Sequence, residues 1–184
     1  MATQYAESTM IRGITGGMAG ASNNALHVTP RSRFQEAVRS GNAFNWSSLT
    51  YNMAAADTIF GLENNDSLRD LYIHRMWLSS DTASTIQIFT CKDITVAGAT
   101  AIVGYNLNRN FNTVAATTAY TKETGQNEAA TSWTGKLYMI SVPVDTLIEL
   151  KIDGSIVLPN EHMVGVDMAA DAGAVNVSVW GWFE

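Results

Sequence analysis

The chain has 184 residues, 46% hydrophobic and only 15% charged, with 11 Lys and Arg against 17 Asp and Glu for a net charge of −6. That length and apolar content favour one domain, or one domain plus an arm, and exclude global disorder. The negative balance disfavours a surface built to grip nucleic acid. A single cysteine, Cys91, excludes both an intrachain disulfide and a multi-cysteine zinc site.

Met1 to Met10 lacks a basic flank followed by an apolar stretch, so no secretory signal is expected, and no run approaches the length of a membrane span. Residues 12–25 contain Gly13, Gly16, Gly17 and Gly20 among small polar neighbours, the composition of an extended arm. Those glycines lack the Lys-Ser/Thr that completes a phosphate loop. The string TPRSRFQEAVRSG that follows predicts a short helix, with Thr29 as cap, Pro30 at the first helical position, Phe34, Ala37 and Val38 on one face, and Gly41 as stop. Residues 1–42 therefore read as an N-terminal arm with one short helix. They carry Arg12, Arg31, Arg33 and Arg39 against Glu7 and Glu36, a balance of +2 that leaves −8 for the remainder.

From residue 43 the text changes to short runs rich in Val, Ile, Thr and aromatic residues, separated by Asp, Asn, Gly and Ala. About eight to ten strands are expected over Ala43–Met53, Thr58–Leu62, Asp70–Ser79, Ser84–Cys91, Ile102–Leu107, Lys136–Val142, Thr146–Ile152, Ser155–Leu158, Met163–Met168 and Ala174–Phe183. Ile148, Leu150 and Ile152 alternate with Glu149 and Lys151, and Val164, Val166 and Met168 alternate with Gly165 and Asp167, so each of these strands should bury one face. Without helices between the strands to cover a parallel sheet, the expected class is all-β, an antiparallel jelly-roll-like sandwich over residues 43–184. Residues 108–132 are small, polar and long for a connection, and predict a projecting loop.

Nothing in the pattern assembles chemistry. The histidines are His27, His74 and His162; none has metal-ligand spacing, and His74 falls mid-strand on the side of Tyr72, Met76 and Leu78. The acids Asp145, Glu149, Asp153, Glu161, Asp167 and Asp171 fall at strand edges or turns, and Glu63-Asn64-Asn65-Asp66 lacks the spacing of a calcium loop. The reading is of no enzyme, no metal and no cofactor. One feature stands apart: in AVNVSVWGWF, Val175, Val177, Val179 and Phe183 share a face, which leaves Trp180 and Trp182 on the nominally polar side. They call for a cover from the arm, a subunit interface, or a role as an aromatic platform for sugars, with Trp46 as a further contributor to either surface.

The segments AAADTIFGLENNDSLRDLYIHRMWLSSDTASTIQIF, GYNLNRNFNTVAATTAYTKETG and LPNEHMVGVDMAADAGAVNVSVWGWF resemble a group of small virion-associated structural proteins of tailed bacteriophages. The resemblance covers much of residues 43–184 and rests on the "DLYIHR" strand, the "S-D-T" turn and the "NLNR" loop. It implies a jelly-roll-like protein of the virion, assembled in the host cytoplasm, that acts as a capsid decoration or cement protein or in the neck or tail. Its implied partners are the major capsid protein or other virion proteins, and further copies of itself, a trimer being the implied homo-oligomer. No catalytic residue is carried over. Arg12, Arg31, Arg33, Phe34, Arg39, Trp46, Trp180 and Trp182 are the expected assembly contacts, and a glycan- or receptor-binding module is the alternative.

Overall fold

The structure, a computed structural model, describes residues 21–22, 25–26, 31–48, 51–53, 58–92, 99–123, 135–170 and 173–184. The chain divides into two compact units, Met1–Ser32 and Arg33–Glu184. In the first, β1 (Ala21–Ser22) and β2 (Ala25–Leu26) pair antiparallel, with Ala21 opposite Leu26. The glycine-rich residues 12–20 and the expected cap at Thr29 and Pro30 lie outside the described residues.

The second unit opens with α1 (Arg33–Ser40), whose Glu36 in the first turn and Arg39 in the last complement the helix dipole. Gly41 stops it: at φ 78° it takes the left-handed position where its N–H donates to the Val38 carbonyl at 3.2 Å and the Asn42 N–H to that of Ala37 at 2.8 Å. The compact unit begins at Arg33, because Phe34, Ala37 and Val38 pack on strand residues of the body.

Among the described residues twelve strands follow: β3 (Ala43–Ser47), β4 (Tyr51–Met53), β5 (Thr58–Asn64), β6 (Leu71–Ser80), β7 (Ser84–Lys92), β8 (Thr100–Ile102), β9 (Tyr105–Asn106), β10 (Thr117–Glu123), β11 (Gly135–Val142), β12 (Thr146–Leu158), β13 (His162–Ala170) and β14 (Gly173–Phe183). They form two antiparallel sheets in the orders β11-β7-β13-β5-β10-β8 and β12-β6-β14-β3-β9, with β4 paired to β14. The pairings nest: β4 with β14, β5 with β13, β6 with β12, β7 with β11, and β8 with β10. A chain paired in this way is one long antiparallel ribbon folded over on itself, the wrapping of a jelly roll. The all-β sandwich expected from strand spacing is the fold observed.

Between the sheets lies one core, in which Trp46, Phe60, Leu62, Leu71, Met76, Ile86 and Val164 are fully or almost fully buried. In the middle of its sheet, β5 and residues 163–168 of β13 are buried on both faces, which corrects the expected one-sided burial of β13. Gly165 and Gly61 face each other across the ladder, and the rings of Phe89 and Tyr120 lie over them where side chains would otherwise stand. Buried beside them, the Asp167 carboxylate accepts a 2.7 Å hydrogen bond from Thr58 Oγ1.

Three further expectations change. Residues 117–123, assigned to a projecting loop, form a central strand, because Ala119 and Thr121 alternate with exposed or ring-covering neighbours in a run free of large aliphatics. The two strands expected at Thr146–Ile152 and Ser155–Leu158 are one, interrupted by a bulge in which Asp153 and Gly154 adopt φ of 48° and 83°. In β6 the ladder skips His74, so Leu71 and Ile73 point inward on one side of it and Met76 and Leu78 on the other. His74 therefore shares a side with Tyr72, and Met76 and Leu78 are in the core.

Candidate functional site

Alternation along β14 turns Trp180 and Trp182 outward from the core, and the two meet different fates. Trp182 is buried beneath α1, in a cluster with Ala37 and Ala43 and with half-buried Phe34, Val38, Tyr72 and Leu107. It stacks on Tyr72 with ring centroids 5.2 Å apart and takes Phe34 edge-on at 6.0 Å. Its indole N–H donates to Glu184 Oε2 at 3.4 Å, and Glu184 also pairs with Arg33 at 3.3 Å. Trp182 is thus a floor for the helix, unavailable as a sugar platform.

Trp180 lies beyond the helix, half-buried, and meets Trp77 of β6 edge-to-face with centroids 4.3 Å apart. On the β12 side of the pair stand Arg75, opposite Trp180, and Glu149, opposite Trp77, ion-paired at 2.8 Å, and on the β3 side the surface carries neutral hydrogen-bonders. Ser47 and Ser178 share a 2.8 Å bond, Asn45 donates to the Val179 carbonyl, and Asn176 to that of Ser48. Trp46 belongs to neither surface. It is fully buried, and its N–H donates to Thr117 Oγ1 at 3.0 Å, so the expected surface role is corrected.

The cationic candidates spread out. Arg31, Arg33 and Arg39 are exposed, Arg33 on Glu184 and Arg39 with its carbonyl accepting from Asn108, while Arg12 lies outside the described residues. Phe34 is half-buried, its ring lying on His74 at 3.9 Å between centroids. The bulges in β6 and β12 bring His74 Nδ1 within 3.1 Å of Asp153, while Arg75 reaches His74 Nε2 at 3.0 Å and Glu149 at 2.8 Å. An arginine can only donate, so Nε2 accepts and the neutral ring carries its proton on Nδ1, toward Asp153. Burial first, and Arg75 second, hold the His74 pKa below its ordinary 6.5 against the opposing pull of Asp153 and Glu149.

That network binds a helix to a sheet; among the described residues its members are His74, Arg75, Glu149 and Asp153, with Phe34 stacked on the imidazole. His162 Nδ1 lies 3.0 Å from the Asn160 carbonyl, and Cys91 is buried with Phe89, Tyr120 and Met163. Among the described residues no three His, Cys, Asp or Glu side chains gather to hold a metal ion, and no helix is long and apolar enough to cross a membrane. An open cleft of about 370 Å³ is lined by Ser79, Asp81, Asp145 and Asn176 among others, with Asp81 Oδ1 taken up by the Ala174 N–H at 2.7 Å.

Sequence reasoning missed the side chains exposed on the flanks. β11 and β12 end the two sheets on one flank, where Leu137, Tyr138, Met139, Val144 and Leu147 are exposed; β8 and β9 end them on the other, with Val103, Tyr105, Phe111 and Val114. The signal was present in KLYMISV, where apolar residues occupy consecutive positions and so must occupy both sides of a strand. No family model, no curated protein and no solved structure matches the chain.

Proposed function

We propose that this chain is a non-enzymatic structural protein of a tailed-phage virion, a capsid decoration or cement protein that binds its shell by surface complementarity. A neck or tail position is the variant of the same reading. The observation that carries it is the distribution of exposed apolar side chains. Most of them gather on the two flanks of the sandwich, while α1 covers part of one broad face and rings laid over glycines cover part of the other. Patches of that kind mark protein–protein contact. A low-charge surface of Thr, Ser and Asn suits contacts made by shape, and the resemblance of the segments around "DLYIHR" supplies the particle. The partners are then the major capsid protein, other virion proteins and further copies of this chain. The test is co-sedimentation of the purified full chain with shells assembled from a tailed-phage major capsid protein. Saturable, stoichiometric binding supports the reading, and a chain left wholly in the supernatant overturns it.

A second reading rests on the Trp77–Trp180 pair, a half-buried aromatic step amid Asn45, Asn176 and Ser178 that suits stacking of a sugar ring. In it the protein reads a host glycan. Acrylamide quenching of tryptophan fluorescence that is relieved by oligosaccharide, and lost in Trp180→Ala, would favour it over the structural role.

A further inference from the structure

β11 is the last strand of its sheet, and among the described residues only β7 pairs with it. Its outer edge presents a row of backbone N–H and C=O groups, a template for one more strand. Natural sheets blunt such edges with charge, proline or a bulge. Here those devices sit only at the ends: Lys136 and a bulge at Leu137 on one side, Pro143 on the other. The segment between, Tyr138–Val142, runs in unbroken register opposite Ile88–Ser84 and carries no charge. Met139 is 68% exposed, Tyr138 49%.

The geometry points to a second copy of this chain as the occupant, its Tyr138–Val142 pairing antiparallel with the same segment about a two-fold axis through Ile140. Along a strand, outward-facing and inward-facing backbone groups alternate. Two copies of one edge therefore match only when outward positions meet outward positions, as they do when the axis passes through a residue. Placed at Ile140, the axis pairs the whole regular segment: Tyr138 with Val142, Met139 with Ser141, and Ile140 with itself.

Side chains and charge agree with that register. Val142 is buried and Ile140 partly buried against the core, so their side of the strand continues the sandwich interior into the copy. Lys136, the charged residue of the strand, lies beyond the bulge at the end that faces the copy's Val144–Asp145 turn, away from its own counterpart. The contact is not confined to the ladder, since β12, with exposed Leu147, ends the other sheet on the same flank. The opposite flank offers strands of only three and two residues, too short for such a ladder. The contact is two-fold, so the trimer implied by the sequence resemblance would need a different one.

The inference deepens the structural reading above and rests on it, and the test keeps the two apart. In the full chain, Ile140→Cys and Met139→Cys are each oxidised and run without reductant, native Cys91 being buried. Ile140→Cys should form a disulfide dimer, its Cα atoms lying about 5 Å apart across the axis. Met139→Cys should not, since its Cα atoms stand about 8 Å apart, beyond the roughly 7 Å limit for a disulfide. Collisional cross-linking would give the opposite ranking, because Met139 is the more exposed, and that ranking overturns the inference.

The double variant Tyr138→Lys/Met139→Lys alters only exposed side chains. It should halve the light-scattering mass from twice 19.9 kDa while the circular-dichroism spectrum stays that of the folded β-sandwich. An oligomer that survives it, or a wild-type chain monomeric at every concentration, overturns the edge contact. Neither result touches the shell-binding measurement. Loss of shell binding with self-pairing intact strikes the reading of the protein and leaves the edge standing.

Discussion

Phe34 of α1 lies flat on the imidazole of His74, ring centroids 3.9 Å apart and planes 21° apart, which ties the helix to β6 through a titratable ring. The ring is neutral in the fold, with Arg75 donating to Nε2 and Asp153 facing Nδ1. Its pKa is depressed below 6.5, by burial before all else. The unfolded chain therefore binds a proton that the folded chain resists, so stability is complete above 6.5 and falls as pH drops from there through the lower folded pKa. The thermal midpoint of the wild type should decline over that window, and His74→Gln should remove most of the slope. Equal slopes in the two proteins would dismiss the ring as the source. Asp66 acts lower in pH: the hydrogen bond from the Leu68 N–H, joined by Arg69, holds that carboxyl below 3.8, so its contribution disappears only as pH falls below that value.

Gly165 has no room for a side chain. A Cβ there would stand 2.1 Å from the tip of the Phe89 ring, itself fully buried. Gly165→Ala should therefore cost about 1–3 kcal/mol, the usual penalty of overpacking. Combined with Phe89→Leu, which shortens the ring that blocks it, the alanine should cost clearly less than it does alone. Denaturant melts of the two single variants and the double close the cycle, and strict additivity would mean that the ring does not set the penalty.

How far the sequence carried follows from what its pattern encodes. Val175, Val177, Val179 and Phe183 all sit in the core as their alternation required, because that period depends only on the strand itself. β13 misled because Gly165 and Asp167 look like a polar side. A glycine roofed by a ring from β7, and a carboxylate bonded to Thr58, are set by neighbours distant in the chain. The same holds for His74, whose side depends on a bulge that only the pairing with β14 and β12 fixes. Of the assembly candidates, Trp182 was legible as an outward residue, but its cover came from the helix; Trp46 was placed on the surface because the position of β9 and β10 beside it has no local signature.

The Thr58–Asp167 bond gives the clearest polar test in the interior. Asp167 is 1% exposed and Thr58 fully buried, and the hydroxyl hydrogen bond to the carboxylate is 2.7 Å long. Thr58→Val keeps the shape and removes the donor, leaving a buried carboxylate short of one hydrogen bond at a cost of about 1–3 kcal/mol. Thr58→Ser keeps the hydroxyl and should recover most of that loss. If valine and serine behave alike in equilibrium unfolding, the hydroxyl is not what stabilises Asp167.

Two truncations separate the helix from what precedes it. The compact unit begins at Arg33, so a chain lacking residues 1–32 keeps that unit whole and serves as the reference. Removing residues 1–42 also takes away Phe34, Ala37 and Val38, which cover Trp182 and Tyr72, together with Asn42, whose carbonyl accepts from the Phe183 N–H at 2.9 Å. Uncovering that cluster should cost about 3 kcal/mol, the scale of one or two large apolar side chains returned to water. It should also open Trp182 to acrylamide, adding a readily quenched component to the fluorescence that the shorter truncation lacks. Equal midpoints and equal quenching in the two truncations would show that α1 contributes nothing to the stability of the sandwich.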